Sequence, residues 1–350
     1  MDFDLSPLLV VWEVTQACDL ACTNCRDSVR PDRDPRELTT DEAYQFLTEA
    51  KDFGNPLMVL TGGDPLKRTD IFDLIRHSVA VGLRTNITPS PTPLLRAEAV
   101  DQFKACGISR MAIGLDGPDA PTHDGVRQAE GSFERAIFAL RHARDIGLDT
   151  QVLTMVAPKN LAALAHIAEQ VADVRAKLWS LFFPVSTCQD LTSEQYEKVF
   201  EFLYDISKIA PFEVKTTEAL HYRRYIAQRL KAEYGGRGGA NARLLWRTTA
   251  VSEARGFVFV SHTGEIYPSG YLPISAGNVR NDSLVDVYRN SSLFRTLRDP
   301  AAREGKCSYC EYHKICGGSR ARAYAMTGDY LAPDPRCSYQ PANQTQLINA

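Results

Sequence analysis

Seven of the nine cysteines fall into two tight groups. Cys18, Cys22 and Cys25 stand in a C-x3-C-x2-C spacing directly after the apolar run LLVVWEV, and Cys307, Cys310 and Cys316 stand in C-x2-C-x5-C, with Cys337 following after a further stretch. Three thiolates on one short loop can hold three corners of an iron–sulfur cube, and no fourth cysteine lies near enough to take the last corner. One iron then stays open to a ligand from outside the chain. Zinc suits this loop less well, because it usually takes four protein ligands and the nearest histidine, His77, is far along the chain. The second group offers four thiolates, a complete shell, for which either a [4Fe-4S] cluster or structural zinc fits on ligand count alone.

An open iron in a one-electron cluster is what radical cleavage of S-adenosylmethionine (SAM) requires, since the cosubstrate must bind the metal before its sulfonium bond breaks. The remaining cysteines, Cys106 and Cys188, read as structural; Cys106 lies three residues after Phe103 on an apolar helical stripe.

Around these groups the chain of 350 residues suits one large α/β domain and a smaller one. With 44% apolar residues, 24% charged residues and a net charge of −3, nucleic acid and acidic membranes are excluded as principal partners. The opening MDFDLSPLLVVWEV is acidic where a secretory signal is basic, and its apolar run is too short to span a bilayer, so the expected location is the cytoplasm. Clustered cysteines suit metal in that reducing compartment.

Short apolar runs alternate with amphipathic helical patterns up to about residue 183, the mark of β/α units around a parallel sheet. The expected strands are Leu8 to Val14, Leu57 to Leu60, Arg84 to Ile87, Arg110 to Leu115, Thr150 to Val156 and Leu178 to Phe183. Six units make a partial (β/α)6 TIM-type barrel. Thr39 with Glu42 reads as a capping box, Ser132 and Asn160 as helix starts, and Gly54 and Gly147 as stops. Residues 192 to 234 read as helical, GGRGGANA from Gly235 as a connector or gating loop, and Phe257 to Tyr267 as a hairpin turning at His262-Thr263-Gly264. The expected partition is a barrel over 1–210, a helical join over 211–255 and a cluster-binding tail over 256–350.

In such a barrel, functional groups gather at the carboxyl ends of the strands. The second strand is followed there by Thr61-Gly62-Gly63-Asp64, where two glycines let backbone amides and carbonyls approach a SAM amino group. The third is followed by Thr88-Pro89-Ser90, with Asn86 on the strand itself, and the fourth by Asp116-Gly117, His123-Asp124 and Arg127. Gln151 on the fifth strand is a further candidate. Arg127 suits a carboxylate because its planar fork makes two parallel hydrogen bonds.

The C-x3-C-x2-C loop, followed by Gly62-Gly63-Asp64-Pro65, resembles the radical SAM superfamily, whose second motif is usually Gly-Gly-Glu. Asn24 replaces a common aromatic residue, and Gly114 stands where the family commonly has a serine before Leu-Asp-Gly. The resemblance implies that the polar residues after the fourth strand, together with Arg127, hold the SAM ribose and carboxylate. The tail is similar to SPASM/twitch extensions, which moves its four cysteines towards a [4Fe-4S] cluster. Two further ligand positions of the full SPASM pattern are Ser269 and Arg320, so a single auxiliary cluster is expected on Cys307, Cys310, Cys316 and Cys337.

That reduced set resembles the radical SAM enzymes of heme and heme d1 biosynthesis. It implies an enzyme that cleaves SAM reductively to a 5'-deoxyadenosyl radical and takes hydrogen from a carboxylate-bearing small molecule, with tetrapyrrole side-chain modification or oxidative decarboxylation as the outcome. An external one-electron reductant such as flavodoxin or ferredoxin is implied as partner. A peptide maturase forming crosslinks or oxidised residues is the alternative, and a non-enzymatic iron–sulfur electron carrier is a third reading. Trp246, Arg247, Tyr271, Tyr222 and Arg223 could line a pocket for a flat anion, but ordinary packing or surface placement accounts better for each; no catalytic residue is assigned.

Overall fold

A computed structural model of the chain describes residues 2–23, 25, 30–185, 191–235 and 251–342. Its frame is a ten-stranded, mostly parallel sheet. In chain order the strands are β1 (Leu9–Thr15), β2 (Leu57–Gly62), β3 (Arg84–Ile87), β4 (Arg110–Gly114), β5 (Thr150–Met155), β6 (Leu178–Phe182), β7 (Glu213–Thr217), β8 (Phe257–Val260), β9 (Glu265–Tyr267) and β10 (Gly277–Asn278). They lie side by side in the order β10-β9-β8-β1-β2-β3-β4-β5-β6-β7. From β8 through β7 every neighbouring pair is parallel; β9 and β10 return antiparallel.

The six expected strands form the partial barrel as β1 to β6. β1 is buried along most of its length, as a central parallel strand covered on both faces must be. Its Trp12 is fully buried and meets Phe46 edge to face at 5.3 Å. Phe46 belongs to the helix Thr40–Ala50, whose Thr39–Glu42 capping box has both halves formed. Ser132 is the first residue of the helix Ser132–Asp145, and Gly131 caps it in the left-handed conformation.

Two departures follow from long-range contacts. Residues read as continuously helical divide into the helices Ser193–Ile209 and Tyr222–Tyr234, with β7 between them. The β7 sequence EVKTT lacks an apolar run because this edge strand is only partly covered, yet it pairs in parallel with β6. The expected hairpin of β8 and β9 is present, but β8 also pairs in parallel with β1, so the later part of the chain extends the barrel sheet. Asn24, Cys188, Trp246, Arg247 and the rest of GGRGGANA after Gly235 lie outside the described residues.

No helix among the described residues is long and apolar enough to cross a membrane.

Candidate functional site

The cysteine loop leaves the carboxyl end of β1 and is held from both sides. Gly63 N–H donates to Thr15 O at 2.8 Å and Asp64 N–H to Ala17 O at 2.7 Å. This contact leaves no room for side chains. A Cβ on Gly63 would lie 2.5 Å from the carbonyl oxygens of Gln16 and Ala17, and Gly62, at φ +153°, would drive one into Thr15 O. The two glycines therefore serve first to dock the thiol loop against β2. On the far side Thr23 N–H donates to Val126 O at 2.9 Å, and Lys67 pairs with Asp19 at 2.6 Å.

Cys18, Cys22 and Cys25 line one cavity of about 280 Å³ together with Gly62, Gly63, Thr88, Asp116 and Arg127. Three other sequence candidates lie outside its wall. Asp64 is fully buried and turned aside, accepting from Leu66 N–H at 3.1 Å and from Thr92 Oγ1 at 2.6 Å; burial raises its carboxyl above the usual range. Asn86 sits two residues deeper on its strand than Thr88, and Gln151 two deeper than the wall residue Leu153. Gln151 Nε2 donates to Ser180 Oγ at 2.9 Å. Ser90, in the wall, donates through Oγ to Gly63 O at 2.6 Å and so shares the carbonyl expected to face SAM.

Asp116 and Arg127 form an ion pair at 2.8 Å. Two groups beyond the sequence motifs fix Asp116. Met155 N–H donates to its Oδ1 at 2.7 Å, and Asn160 Nδ2 donates to its backbone carbonyl at 3.0 Å and to Met155 O at 2.9 Å. Asn160 thus ties the exits of β4 and β5 together, where the sequence suggests only a helix cap. Arg127 Nη1 also approaches Cys22 Sγ at 3.7 Å.

Gly114 explains itself here. A Cβ at this position would fall on the Arg127 guanidinium, the far end of a flexible side chain, so a serine here requires Arg127 to shift from its present pairing with Asp116. Gly114→Ser is expected to cost about 1–3 kcal/mol of stability by overpacking. Thermal or urea unfolding should find that cost largely gone in an Arg127→Ala background; an equal cost in both backgrounds would contradict the clash.

His123 is fully buried and its Nδ1 accepts the Asp116 N–H at 3.1 Å, while Nε2 faces Ser132 Oγ at 3.3 Å. Burial, helped by the nearby Arg127 charge, pushes this imidazole down to about 3, so it is neutral. Its folded pKa lies below the unfolded value, so stability is complete above about pH 6.5 and is lost as pH falls towards 3. At pH 5 the expected loss from this group alone is about 2 kcal/mol, measured as a falling unfolding midpoint, and His123→Asn should flatten that slope.

A contact absent from the sequence motifs crosses the sheet. Glu13, nearly fully buried in the cavity wall, is 2.8 Å from His262 Nδ1, and His262 Nε2 is 3.8 Å from Asp34. The β8–β9 turn is thereby anchored to β1. Of the aromatic and basic candidates, Tyr271 reaches the cavity wall, Tyr222 packs on Phe200 with ring centres 5.3 Å apart, and Arg223 donates to the carbonyls of Ile315 and Val251. Cys106 is buried and accepts from Arg76 at 3.4 Å.

In the tail, Cys307, Cys310, Cys316 and Cys337 line a second cavity with His221. Burial pushes Cys316 up to about 12 and Cys337 to about 11. His221 is fully buried with neither ring nitrogen hydrogen-bonded among the described residues, and its Nδ1 lies 3.7 Å from Asp334. Among the described residues no three His, Cys, Asp or Glu side chains converge closely enough to share one metal ion.

Ser269 and Arg320 are both engaged elsewhere. Ser269 Oγ donates to Glu218 at 3.4 Å, and Ser319 Oγ donates to the other oxygen of the same carboxylate. Arg320 Nη1 donates to Tyr330 O at 3.0 Å and Ala332 O at 2.7 Å, and its N–H to Glu253 at 2.7 Å.

A parallel α/β sheet with three thiols, a Gly-Gly turn and an Asp–Arg pair around one cavity at its carboxyl end defines a class of enzyme, and comparison with known proteins gives that class its name. Residues 12–171 match the family model of the radical SAM superfamily. The AdoMet-dependent heme synthase of Nitratidesulfovibrio vulgaris is 39% identical over 344 residues, covering 96% of this chain and 94% of that protein. The PqqA peptide cyclase of Bradyrhizobium diazoefficiens is 28% identical, over 97% of this chain and 88% of that protein. Among solved structures, SuiB of Streptococcus suis bound to S-adenosylmethionine superposes with a TM-score of 0.73 at 16% identity, over 96% of this chain and 78% of that one, a likeness of fold. The chain belongs to the radical SAM superfamily, as an enzyme with a SPASM-type tail.

Membership implies SAM and a [4Fe-4S] cluster, and the residues present fit both. The three loop thiols share a cavity with the Asp116–Arg127 pair, and Arg127 Nε is buried there without a hydrogen-bond partner among the described residues.

Proposed function

We propose that the enzyme acts on a carboxylate-bearing tetrapyrrole and removes a propionate carboxyl group oxidatively. The observation that carries this reading is the end-to-end similarity to an AdoMet-dependent heme synthase at 39% identity, well above the 28% to the peptide cyclase. When bound, the cluster and SAM supply a 5'-deoxyadenosyl radical able to take hydrogen from an unactivated carbon.

The protein's own residues do the rest. Cys18, Cys22 and Cys25 would hold the cluster, while Thr88, Asp116 and Arg127 frame the cosubstrate. Leu153, Met155, Phe182 and Tyr271 give the opposite wall an apolar surface suited to a flat ligand. Cys307, Cys310, Cys316 and Cys337 would hold one auxiliary [4Fe-4S] cluster, which would accept the one electron left on the substrate once hydrogen transfer and loss of carbon dioxide leave the vinyl group. The resemblance of the tail to SPASM/twitch extensions supports a cluster there over zinc. Ser269 and Arg320 are held in buried hydrogen bonds, which supports one auxiliary site in place of two. The electron for SAM cleavage would come from an external reductant such as flavodoxin or ferredoxin.

The test is anaerobic turnover with SAM, a reductant and an iron porphyrin bearing propionates. The expected result is carbon dioxide released in step with 5'-deoxyadenosine, with a vinyl group in place of each propionate consumed. An unchanged porphyrin alongside a crosslinked precursor peptide would transfer the assignment to the peptide maturases.

A further inference from the structure

Two carboxyl groups that the proposed chemistry leaves unused lie between the reaction cavity and the tail thiols. Glu218 directly follows β7 and Glu253 stands four residues before β8; both are buried, at 6% and 5% exposure, with their side chains in hydrogen-bonding contact. On the cavity side, Ser269 Oγ donates to Glu218 Oε1 at 3.4 Å and accepts the N–H of Tyr271, a residue of the cavity wall, at 3.1 Å. On the tail side, Ser319 Oγ donates to Glu218 Oε2, and the N–H groups of Arg320 and Ala321 donate to Glu253 Oε1 at 2.7 and 3.2 Å. Gly318, next to Ser319, donates its N–H to Cys316 Sγ at 3.4 Å. Three of the four carboxyl oxygens therefore have donors, while Glu253 Oε2 is buried without a hydrogen-bond partner among the described residues. Two carboxylates have no hydrogen to share, so a proton held between them is what completes the set.

Cations surround the pair, and each is engaged elsewhere. From the helix Arg320–Thr327, Arg322 is paired with Asp334 and Arg320 donates to the carbonyls of Tyr330 and Ala332. From the helix Tyr222–Tyr234, Arg223 donates to the carbonyls of Ile315 and Val251. Arg303, ahead of the tail cysteines, is bound to His313 O, and Arg255, beside Glu253, to Lys314 O. His221, on the same loop as Glu218, is neutral because burial pulls it down to about 3. Burial and the facing Glu253 charge outweigh these cations and hold the Glu218 carboxyl well above the usual range. Arg223 and Arg303 each feel both Glu253 and Cys316, so charge on the tail thiols and charge on the pair act on the same two guanidinium groups.

Resting on the auxiliary-cluster reading above, we infer that Glu218 and Glu253 form a proton-binding site that takes up one proton from solvent when one electron arrives on the tail cluster. The pair then goes from two negative charges to one as the cluster gains one, and the net charge of the region is unchanged. An added negative charge nearby raises the affinity of a carboxyl pair for a proton, and by reciprocity the bound proton makes the electron easier to accept. Neither glutamate touches substrate in this role; the pair sets the potential at which the tail receives the electron.

The experiment is an anaerobic redox titration of the reconstituted intact enzyme, followed by electron paramagnetic resonance, from about pH 6 to 10. The tail signal is the one that Cys310→Ala removes. Its midpoint should be level in mildly acid solution, where the shared proton is already in place. As pH rises and the oxidised pair gives that proton up, reduction should become up to tenfold harder per pH unit, ~59 mV for a one-electron couple. Glu218→Gln, neutral at every pH and still able to donate to Glu253, should abolish the slope and keep the potential at the acid level of the wild type; Glu218→Asp should retain the slope. Iron content and thermal midpoint identify a misfolded variant, and Glu253→Gln then makes the same prediction from the other half of the pair. A wild-type midpoint that does not move with pH, or a glutamine variant that keeps the slope, overturns the assignment and leaves the auxiliary cluster in place. A tail without a redox signal overturns the auxiliary-cluster reading, and the pair's role with it.

Discussion

Replacing Cys22 with alanine is expected to abolish 5'-deoxyadenosine formation while the tail keeps its metal. The three loop thiols are the proposed cluster ligands at the carboxyl end of β1, and no further described cysteine lines their cavity. Loss of one leaves two protein ligands for a cube that needs three, so the open iron loses its definition. The tail thiols line a separate cavity and should be unaffected. Iron and sulfide counts after anaerobic reconstitution should fall from about eight per chain to about four, with SAM cleavage reduced by at least roughly a thousandfold. A starting count of about four, with zinc filling the remainder, would instead make the tail a structural zinc site. The mirror variant, Cys310→Ala, should lose the other half of the iron and keep SAM cleavage without substrate. Full substrate turnover in that variant would remove any electron-accepting role from the tail cluster.

How far the sequence could anticipate this arrangement depends on whether a signal is local. The thiol spacings, the capping box at Thr39 and the strands β1 to β6 are local patterns, and the structure has them where the patterns lie. β7 escaped because a half-covered edge strand needs no apolar run, and EVKTT has none. The β8–β9 hairpin was legible from its own alternation. Its parallel pairing with β1, and the contact of His262 with Glu13, join residues some 250 positions apart, which no window of sequence contains.

Motif reasoning also placed residues near the cavity without resolving direction. Asp64 follows the Gly-Gly pair, yet its carboxylate turns inward to cap Leu66 and meet Thr92. Asn86 and Gln151 are on the expected strands but deeper than the wall. Gly114 stands where the family commonly has a serine, and the Arg127 guanidinium lies in the space that serine would need, a relation visible only when both side chains are present.

The tail must be held rigidly if its cysteines are to stay together, and Arg322 is the group on which that depends. Its side chain is fully buried between the helix Arg320–Thr327 and the ends of β6 and β7. The guanidinium meets Asp334 at 3.0 and 3.2 Å, Pro184 O at 3.0 Å through both Nε and Nη2, and the Glu218 carbonyl. Burial alone would raise the Asp334 carboxyl, but Arg322 and the surrounding donors hold it well below the usual range, so the pair is ionic. Arg322→Ala would strand a buried carboxylate and two carbonyls, and an expected loss of about 3–5 kcal/mol follows. Asp334→Ala in the same chain should add much less than its separate cost, since the charge left unpaired by the first change is then gone. Because Asp334 lies three residues before Cys337, the single variant should also release tail iron at temperatures where the wild type retains it. Denaturant unfolding and iron retention measured together distinguish this from a general loss of stability. If Arg322→Ala unfolds within about 1 kcal/mol of the wild type, other contacts fasten the tail and the pair is dispensable.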